Sequence, residues 1–257
     1  MLFIESKNNN LFKEIKKLKE KKYRNQNKQF LIEGLRFVEE AIKNNAKIEK
    51  VLYTESFNEK HGDKLSLDSN IEQIVLSENL LKELSFTEKP QGIIAVVSIE
   101  KKEMKGGDIV VLVDKVQDPG NMGTIIRTAH AVNASALIIT KGTVDIYNDK
   151  TLRSTMGSIF KVPIIEDNDL SIIKTLKEQG FKLVVSSLQG ENNFFEEDLR
   201  DKVIIAVGNE GNGISDEVYL LADKKVKIPM PGDAESLNVA VATSIMLYEK
   251  LRQNVIK

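Results

Sequence analysis

Short apolar runs alternate with helical segments throughout the C-terminal part of this 257-residue chain. The runs are rich in Val and Ile and lie at residues 109–113, 136–139, 183–185, 203–207 and 226–228. Segments with helical periodicity, such as 125–132 and 170–176, lie between them. Runs that are apolar on both faces are typical of strands in a mostly parallel sheet covered by helices on each side. The pattern therefore predicts an α/β fold for this part of the chain.

A smaller α/β domain is predicted before it. Leu31, Ile32, Leu35, Val38 and Ile42 fall at helical spacing, and strand-like runs follow at 51–53, 74–76 and 93–97. The segment 99–108 is charged, poor in apolar residues and ends on a glycine pair, which is typical of a linker. We therefore predict two domains, at residues 1–102 and 103–257.

The composition excludes several kinds of site. The chain has no Cys, which excludes disulfides, thiolate catalysis and Cys-ligated metals. Because His61 and His130 are its only histidines, a His-rich metal site is not expected either, and we predict no metal. The longest strictly apolar runs have five residues, far below the roughly 18 that span a bilayer. We expect a cytoplasmic protein that does not enter the membrane.

Three polar loops follow predicted strands of the second domain and form the candidate site. Ligands of open α/β sheets bind outside the carboxyl ends of the strands. The loops cover residues 114–124, 208–215 and 229–236. The spacing of Gly208, Gly211 and Gly213 matches neither a dinucleotide fingerprint nor a P-loop, so neither NAD nor ATP is indicated. Taken singly, the glycines also fit a plain turn, and Ser236 fits an N-cap of the last helix.

The loops carry three motifs in the order found in a known family. They read DPGNMGTIIRTA at 118–129, AVGNEGNGI at 206–214, and IPMPG at 228–232 followed by SLNVAVA at 236–242. This combination resembles the SpoU/TrmH class of ribose 2′-O-methyltransferases in the SPOUT superfamily, and the match covers the whole second domain. A shorter match, FLIEGLR at 30–36, makes the first domain similar to the SpoU substrate-binding domain, a small α/β module related to ribosomal RNA-binding proteins.

The resemblance implies the fold and the cofactor of the second domain. It implies a SPOUT α/β-knot, in which a parallel sheet flanked by helices contains a deep C-terminal trefoil knot. It also implies S-adenosylmethionine bound in the knot loops. The cofactor-binding candidates in the motifs are Gly208, Asn209, Gly213, Ile228, Met230, Leu237 and Ala240. A homodimer through the knotted domain is expected as well, and it would explain why the last helix is apolar nearly all round.

The resemblance further implies a catalytic set centred on Arg127. Its other members are Asn121, Glu210, Ser236 and Asn238, and none of these motif positions is substituted. Arginine is a poor base because guanidinium stays protonated in proteins. We therefore expect Arg127 to grip the phosphate beside the target ribose and orient the hydroxyl, while Asn121 or a phosphate oxygen takes part in proton transfer. Glu210 would hold Arg127 or accept a hydrogen bond from the substrate.

An RNA substrate calls for surface cations, although the formal net charge is only −1. Between residues 13 and 28, eight basic residues accompany two acidic ones, a local balance of +6. This stretch is either a solvated helix face or an RNA-binding surface. Farther along the chain, Arg153 lies in a Ser/Thr-rich segment that fits solvent exposure equally well. The candidate RNA-binding residues are Lys17, Lys21, Lys22, Arg24, Arg36 and Arg153.

The sequence thus predicts an S-adenosylmethionine-dependent RNA 2′-O-methyltransferase. An N-terminal RNA-binding module, in place of a bare knotted domain, favours ribosomal RNA, and 23S rRNA in particular, as the substrate. Two alternatives stay open: a tRNA ribose 2′-O-methyltransferase, and a non-catalytic RNA-binding or ribosome-assembly protein on the same fold. The intact motif residues Asn121, Arg127, Glu210 and Asn238 speak against the non-catalytic alternative.

Overall fold

A computed structural model of the chain describes residues 2–62, 65, 67–188, 190 and 192–255. The strands are β1 (Leu2–Ile4), β2 (Gln29–Glu33), β3 (Ile48–Tyr53), β4 (Glu72–Leu76), β5 (Ile93–Ser98), β6 (Ile109–Val113), β7 (Ala136–Ile139), β8 (Ile164–Glu166), β9 (Lys182–Ser186), β10 (Asn192–Asn193), β11 (Val203–Val207) and β12 (Lys224–Lys227). The helices are α1 (Asn10–Lys17), α2 (Lys21–Asn27), α3 (Leu35–Lys43), α4 (Glu55–His61), α5 (Glu78–Leu84), α6 (Pro119–Ala131), α7 (Asp149–Thr155), α8 (Ser171–Glu178), α9 (Asp216–Leu221) and α10 (Val239–Val255).

The chain folds into two compact units whose limits differ in one respect from the predicted domains. One unit comprises Met1–Glu100 and Tyr147–Phe160, and the other comprises Lys101–Ile146 and Lys161–Lys257. The break after residue 100 lies within the predicted linker. The segment 147–160, which the prediction assigned to the second domain, instead belongs to the first unit.

Aromatic packing explains why the segment 147–160 joins the first unit. The ring of Tyr147 packs on Phe30 of β2, with 4.7 Å between the centroids. The ring of Phe160 packs on Phe37 of α3, with 5.6 Å between the centroids. Such pairs stabilise a fold beyond the area they bury. The first unit is therefore discontinuous in sequence.

The first unit contains a five-stranded sheet of order β1-β4-β3-β5-β2. Strands β1, β4 and β3 run parallel, and β5 is antiparallel to both β3 and β2. The predicted strands at 51–53, 74–76 and 93–97 are confirmed. The predicted helical spacing is wrong at Leu31 and Ile32, which lie in β2. Gly34 separates β2 from α3, and its φ of +99° is a conformation that favours glycine.

The second unit contains a seven-stranded sheet of order β10-β12-β9-β11-β6-β7-β8, in which every pairing is parallel. All residues of β6, β7 and β11 are buried, as expected for strands covered on both faces. The predicted α/β fold with a parallel sheet is confirmed. The sequence missed β8 and β10, which have three and two residues, too few for a periodic signal. Among the described residues, no helix is both long and apolar enough to cross a bilayer.

Candidate active site

A cleft of about 720 Å³ lies where β9, β11 and β12 end. Its volume is in the range of small-molecule sites, roughly 300–1,000 Å³. The predicted cofactor residues that line it are Gly208, Asn209, Gly213, Ile228, Met230 and Leu237. The remaining candidate, Ala240, is 3% exposed within α10, and Ala242 lines the cleft instead. Six of the seven cofactor candidates therefore lie around one cleft.

Some residues of the cleft were not predicted. Ser187 and Leu188, which directly follow β9, contribute to its lining, and so do Tyr219 and Glu235. The rule that ligands lie at the carboxyl ends of strands would have found the first two, because the run at 183–185 was recognised as a strand. The loop after that strand was not considered because it carries none of the three motifs.

Close backbone approach explains the glycine at position 208. A Cβ at Gly208 would lie 2.2 Å from the carbonyl carbon and oxygen of Gly213. Asn209 and Gly213 exchange two backbone hydrogen bonds, of 2.8 and 2.9 Å. The side-chain oxygen of Asn209 accepts from the N–H of Gly211 (3.0 Å), and its amide donates to the carbonyl of Lys115 (3.0 Å). Asn209 thus shapes the loop, and Gly208 admits no side chain.

A hydrogen-bonded network joins the three motifs. The carboxylate of Glu210 accepts from the backbone N–H of Gln117, from that of Asp118 and from the side-chain amide of Asn121, each at 3.0 Å. The side-chain amide of Asn238 donates to the side-chain oxygen of Asn121 at 2.9 Å. Partial burial raises the pKa of Glu210, but these hydrogen bonds outweigh it and hold the pKa below the ordinary value. Glu210 is therefore ionised at neutral pH.

Asn238 also begins the last helix. Its side-chain oxygen accepts from the N–H of Ala240 (2.9 Å) and of Val241 (3.3 Å), so Asn238 performs the capping predicted for Ser236. Ser236 is exposed and lines the cleft. At the other end of the network, Asp118 caps α6 by accepting from the N–H of Asn121 at 2.8 Å. Both helices that contribute to the site thus begin at residues of its motifs.

A second loop holds the segment that leaves β6. Lys115 has a φ of +58°, which is uncommon for a residue with a side chain. Its N–H donates to the hydroxyls of Thr140 and Thr143, each at 3.2 Å. The side-chain amide of Gln117 donates to the carbonyl of Gly142. The loop after β7 therefore fixes Lys115 and Gln117. The backbone N–H of Gln117 is in turn one of the donors to Glu210.

Asp114, the first residue after β6, holds the segment that leaves this strand through buried hydrogen bonds. It is fully buried, and its carboxylate accepts from the hydroxyl of Thr140 (2.8 Å) and from the N–H of Ser215 (2.7 Å). Buried carboxylates persist only when such partners replace water. Asp114 thereby ties the loops after β6, β7 and β11 together.

Arg127 stands apart from the network. It lies on the exposed face of α6 and makes no hydrogen bond or ion pair with the residues that the structure describes. Of the two predicted roles of Glu210, the contact with Arg127 is absent, because backbone amides and Asn121 occupy the Glu210 carboxylate. The helix itself is held against α10, where the hydroxyls of Thr128 and Ser244 lie 3.1 Å apart. Arg127 is accordingly fixed in position with its guanidinium available.

The RNA-binding candidates all lie in the first unit and differ in exposure. Lys17, Lys21, Lys22, Arg36 and Arg153 are exposed, and the guanidinium of Arg153 is paired with Asp149 at 2.9 Å. The prediction that Arg24 binds RNA is wrong, because its side chain is buried, with 6% exposure. Its guanidinium donates to the carbonyls of Leu18 (2.9 Å) and Lys19 (2.7 Å), so it fastens the turn between α1 and α2 and is not available to RNA.

Within the described residues, no cluster of three or more His, Asp or Glu side chains is arranged to bind a metal ion. The chemistry of the cleft is instead that of carboxylate, amide, hydroxyl and backbone groups around apolar side chains.

The sequence matches two known domain families. Residues 108–248 match the SpoU rRNA methylase family, and residues 9–95 match the MRM3-like substrate binding domain. Among curated proteins, the chain is 38% identical over 245 residues to the 23S rRNA (guanosine(2553)-2′-O)-methyltransferase RlmP of Bacillus subtilis, an alignment that covers 95% of this chain and 97% of that protein.

Solved structures show the same architecture. The crystal structure of an AdoMet-bound rRNA methyltransferase from Sinorhizobium meliloti superposes with a TM-score of 0.86 at 31% identity and covers 99% of this chain and 98% of that one. The SpoU methyltransferase AviRb of Streptomyces viridochromogenes, in complex with AdoMet, superposes with a TM-score of 0.84 at 29% identity and covers 96% of this chain and 99% of that one.

Proposed function

The chain belongs to the SpoU rRNA methylase family, and on that premise we propose that it transfers a methyl group from S-adenosylmethionine to a ribose 2′-hydroxyl of 23S rRNA. The observation that carries the proposal is the network of Glu210, Asn121 and Asn238 beside a cleft of cofactor size. The name of RlmP supports ribosomal RNA as the substrate class. Such a substrate agrees with the cytoplasmic location that the sequence predicts.

The cleft suits S-adenosylmethionine in both size and lining. The apolar side chains of Ile228, Met230 and Leu237 suit an adenine ring, while the backbone groups of the loops suit hydroxyl groups. We assign the holding of the cofactor to these residues and to the loop around Gly208. When bound, S-adenosylmethionine supplies a methyl group on a good leaving group, so the protein has mainly to position the attacking oxygen.

We assign Arg127 to the RNA rather than to the cofactor. Its guanidinium is exposed and has no partner among the described residues, and its planar fork matches a phosphate in a bidentate way. Holding the phosphate beside the target ribose orients the 2′-hydroxyl. A phosphate oxygen takes the proton of that hydroxyl and relays it to water, while Asn121, whose side-chain orientation Glu210 and Asn238 fix, positions the hydroxyl through a hydrogen bond.

We further propose a homodimer through the second unit. Helix α10 leaves Val241, Tyr248 and Val255 exposed by 49%, 51% and 71%. These residues recur every seven positions, which places them on one face of the helix. A row of exposed apolar side chains of this kind suits a subunit interface. Sedimentation of the free protein as a dimer is the expected result. The deep trefoil knot that the family resemblance implies stays a prediction.

The test is methyl transfer from labelled S-adenosylmethionine to unmodified 23S rRNA, with unmodified tRNA as the comparison, followed by mapping of the label. We expect label on one ribose of the rRNA. Label on tRNA alone would replace the substrate, and label in a base or in protein would refute the chemistry. Failure of the protein to bind S-adenosylmethionine in calorimetry would favour the non-catalytic alternative.

The same assay tests the role of Arg127. Arg127→Lys keeps the charge but loses the fork, so we expect turnover to fall by at least tenfold while cofactor affinity stays unchanged. Near-wild-type turnover of Arg127→Lys would refute a bidentate role.

A further inference from the structure

Only some of the basic residues between positions 13 and 28 are free to meet a ligand. Of the eight basic residues between positions 13 and 28, three are engaged within the first unit. Lys16 is paired with Glu83, Lys19 donates to the backbone carbonyl of Ser85 at 2.8 Å, and Arg24 is buried in the turn between α1 and α2. These three side chains have partners within the first unit, and the remaining five cations do not share these contacts.

Two of the lysines that remain lie over one aromatic ring. Lys13, Lys17, Lys21, Lys22 and Lys28 are exposed and form no ion pair with the described part of the chain. The ammonium groups of two of them lie over the ring of a half-buried tyrosine, Tyr23: that of Lys17 at 5.4 Å and that of Lys22 at 5.5 Å from its centroid. Two exposed carboxylates, Glu14 and Glu20, leave this surface with an excess of positive charge.

No hydrogen bond or aromatic pair of the described residues accounts for the position of Tyr23. Within the described residues its hydroxyl has no hydrogen-bond partner, and its ring packs on no other aromatic ring. A cation over an exposed ring contributes only about 0.5–1 kcal/mol to stability. A partly exposed ring beside basic side chains is, in contrast, the arrangement with which proteins bind unpaired nucleotides. The base stacks on the ring in place of an ammonium group, and the displaced lysines meet the phosphates.

We propose that Tyr23, with Lys17 and Lys22, binds an unpaired nucleotide of the RNA substrate by stacking its base. This inference rests on the proposed function, because it takes RNA as the substrate. It adds that the first unit recognises a single-stranded or looped segment rather than a regular duplex, whose bases are stacked inside the helix and cannot reach the ring.

Binding of the full-length protein to labelled oligonucleotides, measured by fluorescence anisotropy, tests the proposal. The probes are a single-stranded 12-nucleotide RNA and an RNA duplex of the same length. We expect Tyr23→Ala to weaken binding of the single strand by about tenfold and that of the duplex by less than twofold. Tyr23→Phe keeps the ring and should bind as the wild type does. Unchanged binding by Tyr23→Ala, or an equal loss on both probes, would overturn the proposal.

The lysines are tested through the salt dependence of binding. Each phosphate contact to a single strand contributes about 0.7 to the slope of log K against log salt concentration. We expect Lys17→Ala and Lys22→Ala each to lower the slope by about that amount. Lys60→Ala, at an exposed lysine of α4 that forms no ion pair with the described residues of the same unit, is the matched control and should leave the slope unchanged. An equal change in the control would refute a specific role for Lys17 and Lys22.

Failure of this inference differs from failure of the proposed function. If the wild type methylates a ribose and Tyr23→Ala does so equally at limiting RNA, only the stacking assignment falls. If the wild type neither binds nor methylates RNA, the proposed function falls and the stacking assignment falls with it. Circular dichroism and cofactor calorimetry on Tyr23→Ala establish that the variant is folded.

Discussion

Replacement of Glu210 by glutamine is the sharpest test of the active-site network. One oxygen of the carboxylate accepts from the backbone of Asp118 and from Asn121, and the other accepts from the backbone of Gln117. Glutamine has one oxygen and one amide group at these positions. In Glu210→Gln at least one donor therefore loses its acceptor and faces another donor.

The cost follows from these three hydrogen bonds. A hydrogen bond to a charged group contributes about 1.5–3 kcal/mol, and a neutral one about half as much. Because Glu210 is exposed, solvent screens its hydrogen bonds, and the lower end of that range applies. We expect the loop at 114–118 to be destabilised by about 2 kcal/mol, which corresponds to roughly a thirtyfold loss of the ordered arrangement. Asn121 loses its fixed orientation in the same proportion.

Single-turnover methyl transfer at saturating RNA and cofactor measures this loss. We expect the rate constant of Glu210→Gln to fall between about 30-fold and 100-fold, because small displacements of positioning groups have large effects on rate. The KM for RNA should change little, because Glu210 contacts neither Arg127 nor the RNA-binding candidates of the first unit. Glu178→Gln, at an exposed carboxylate of α8, is the matched control. A rate within threefold of wild type would refute the reasoning.

The pH dependence of stability provides an independent check. The pKa of Glu210 is held below its ordinary value of 4.5, so its contribution to stability is present above that pH and is lost as the pH falls through the lowered pKa. Glutamine does not titrate. The difference in the free energy of unfolding between wild type and Glu210→Gln should therefore be full at pH 7 and shrink in acid. A difference that grows in acid would contradict this assignment.

Two further substitutions test parts of the structure that hold the site. Thr143→Val removes one of two hydroxyl acceptors of the Lys115 N–H, and we expect turnover to fall about fivefold and Thr143→Ser to restore it. Lys250→Met removes a fully buried ammonium that donates to Asp108 and to two backbone carbonyls. Urea unfolding should show a loss of about 3 kcal/mol, and an unchanged midpoint would refute a structural role for Lys250.

The strands of the second unit were predictable because each signals itself locally. Runs such as 109–113 and 203–207 are apolar at every position and rich in Val and Ile, and at that length such a run is typical of a strand buried on both faces. The boundary at Gly34 was not recognised because the residues around it fit a helical period on both sides. A single glycine with a positive φ decides there between strand and helix.

The hydrogen-bond partners of the candidate site residues were not predictable from the sequence. The motifs placed Glu210 and Arg127 in one site, but the distance in sequence from Glu210 to Gln117 is 93 positions, and only the pairing of β6 with β11 brings the two together. The burial of Arg24 was equally hidden, since a charged run gives no sign of which cation the backbone of a turn requires.

Contacts within the first unit also lower the number of basic residues that can bind RNA phosphates. A balance of +6 over residues 13–28 counts Lys16, Lys19 and Arg24 as if they were free, yet each is bound within the first unit. Affinity for a polyanion depends on the cations that can exchange their counterions for phosphate, and buried or paired cations cannot do so. The effective surface is therefore smaller than the run, and two of its lysines, Lys17 and Lys22, lie over Tyr23. A salt slope of the wild type that matched all eight cations would contradict this view.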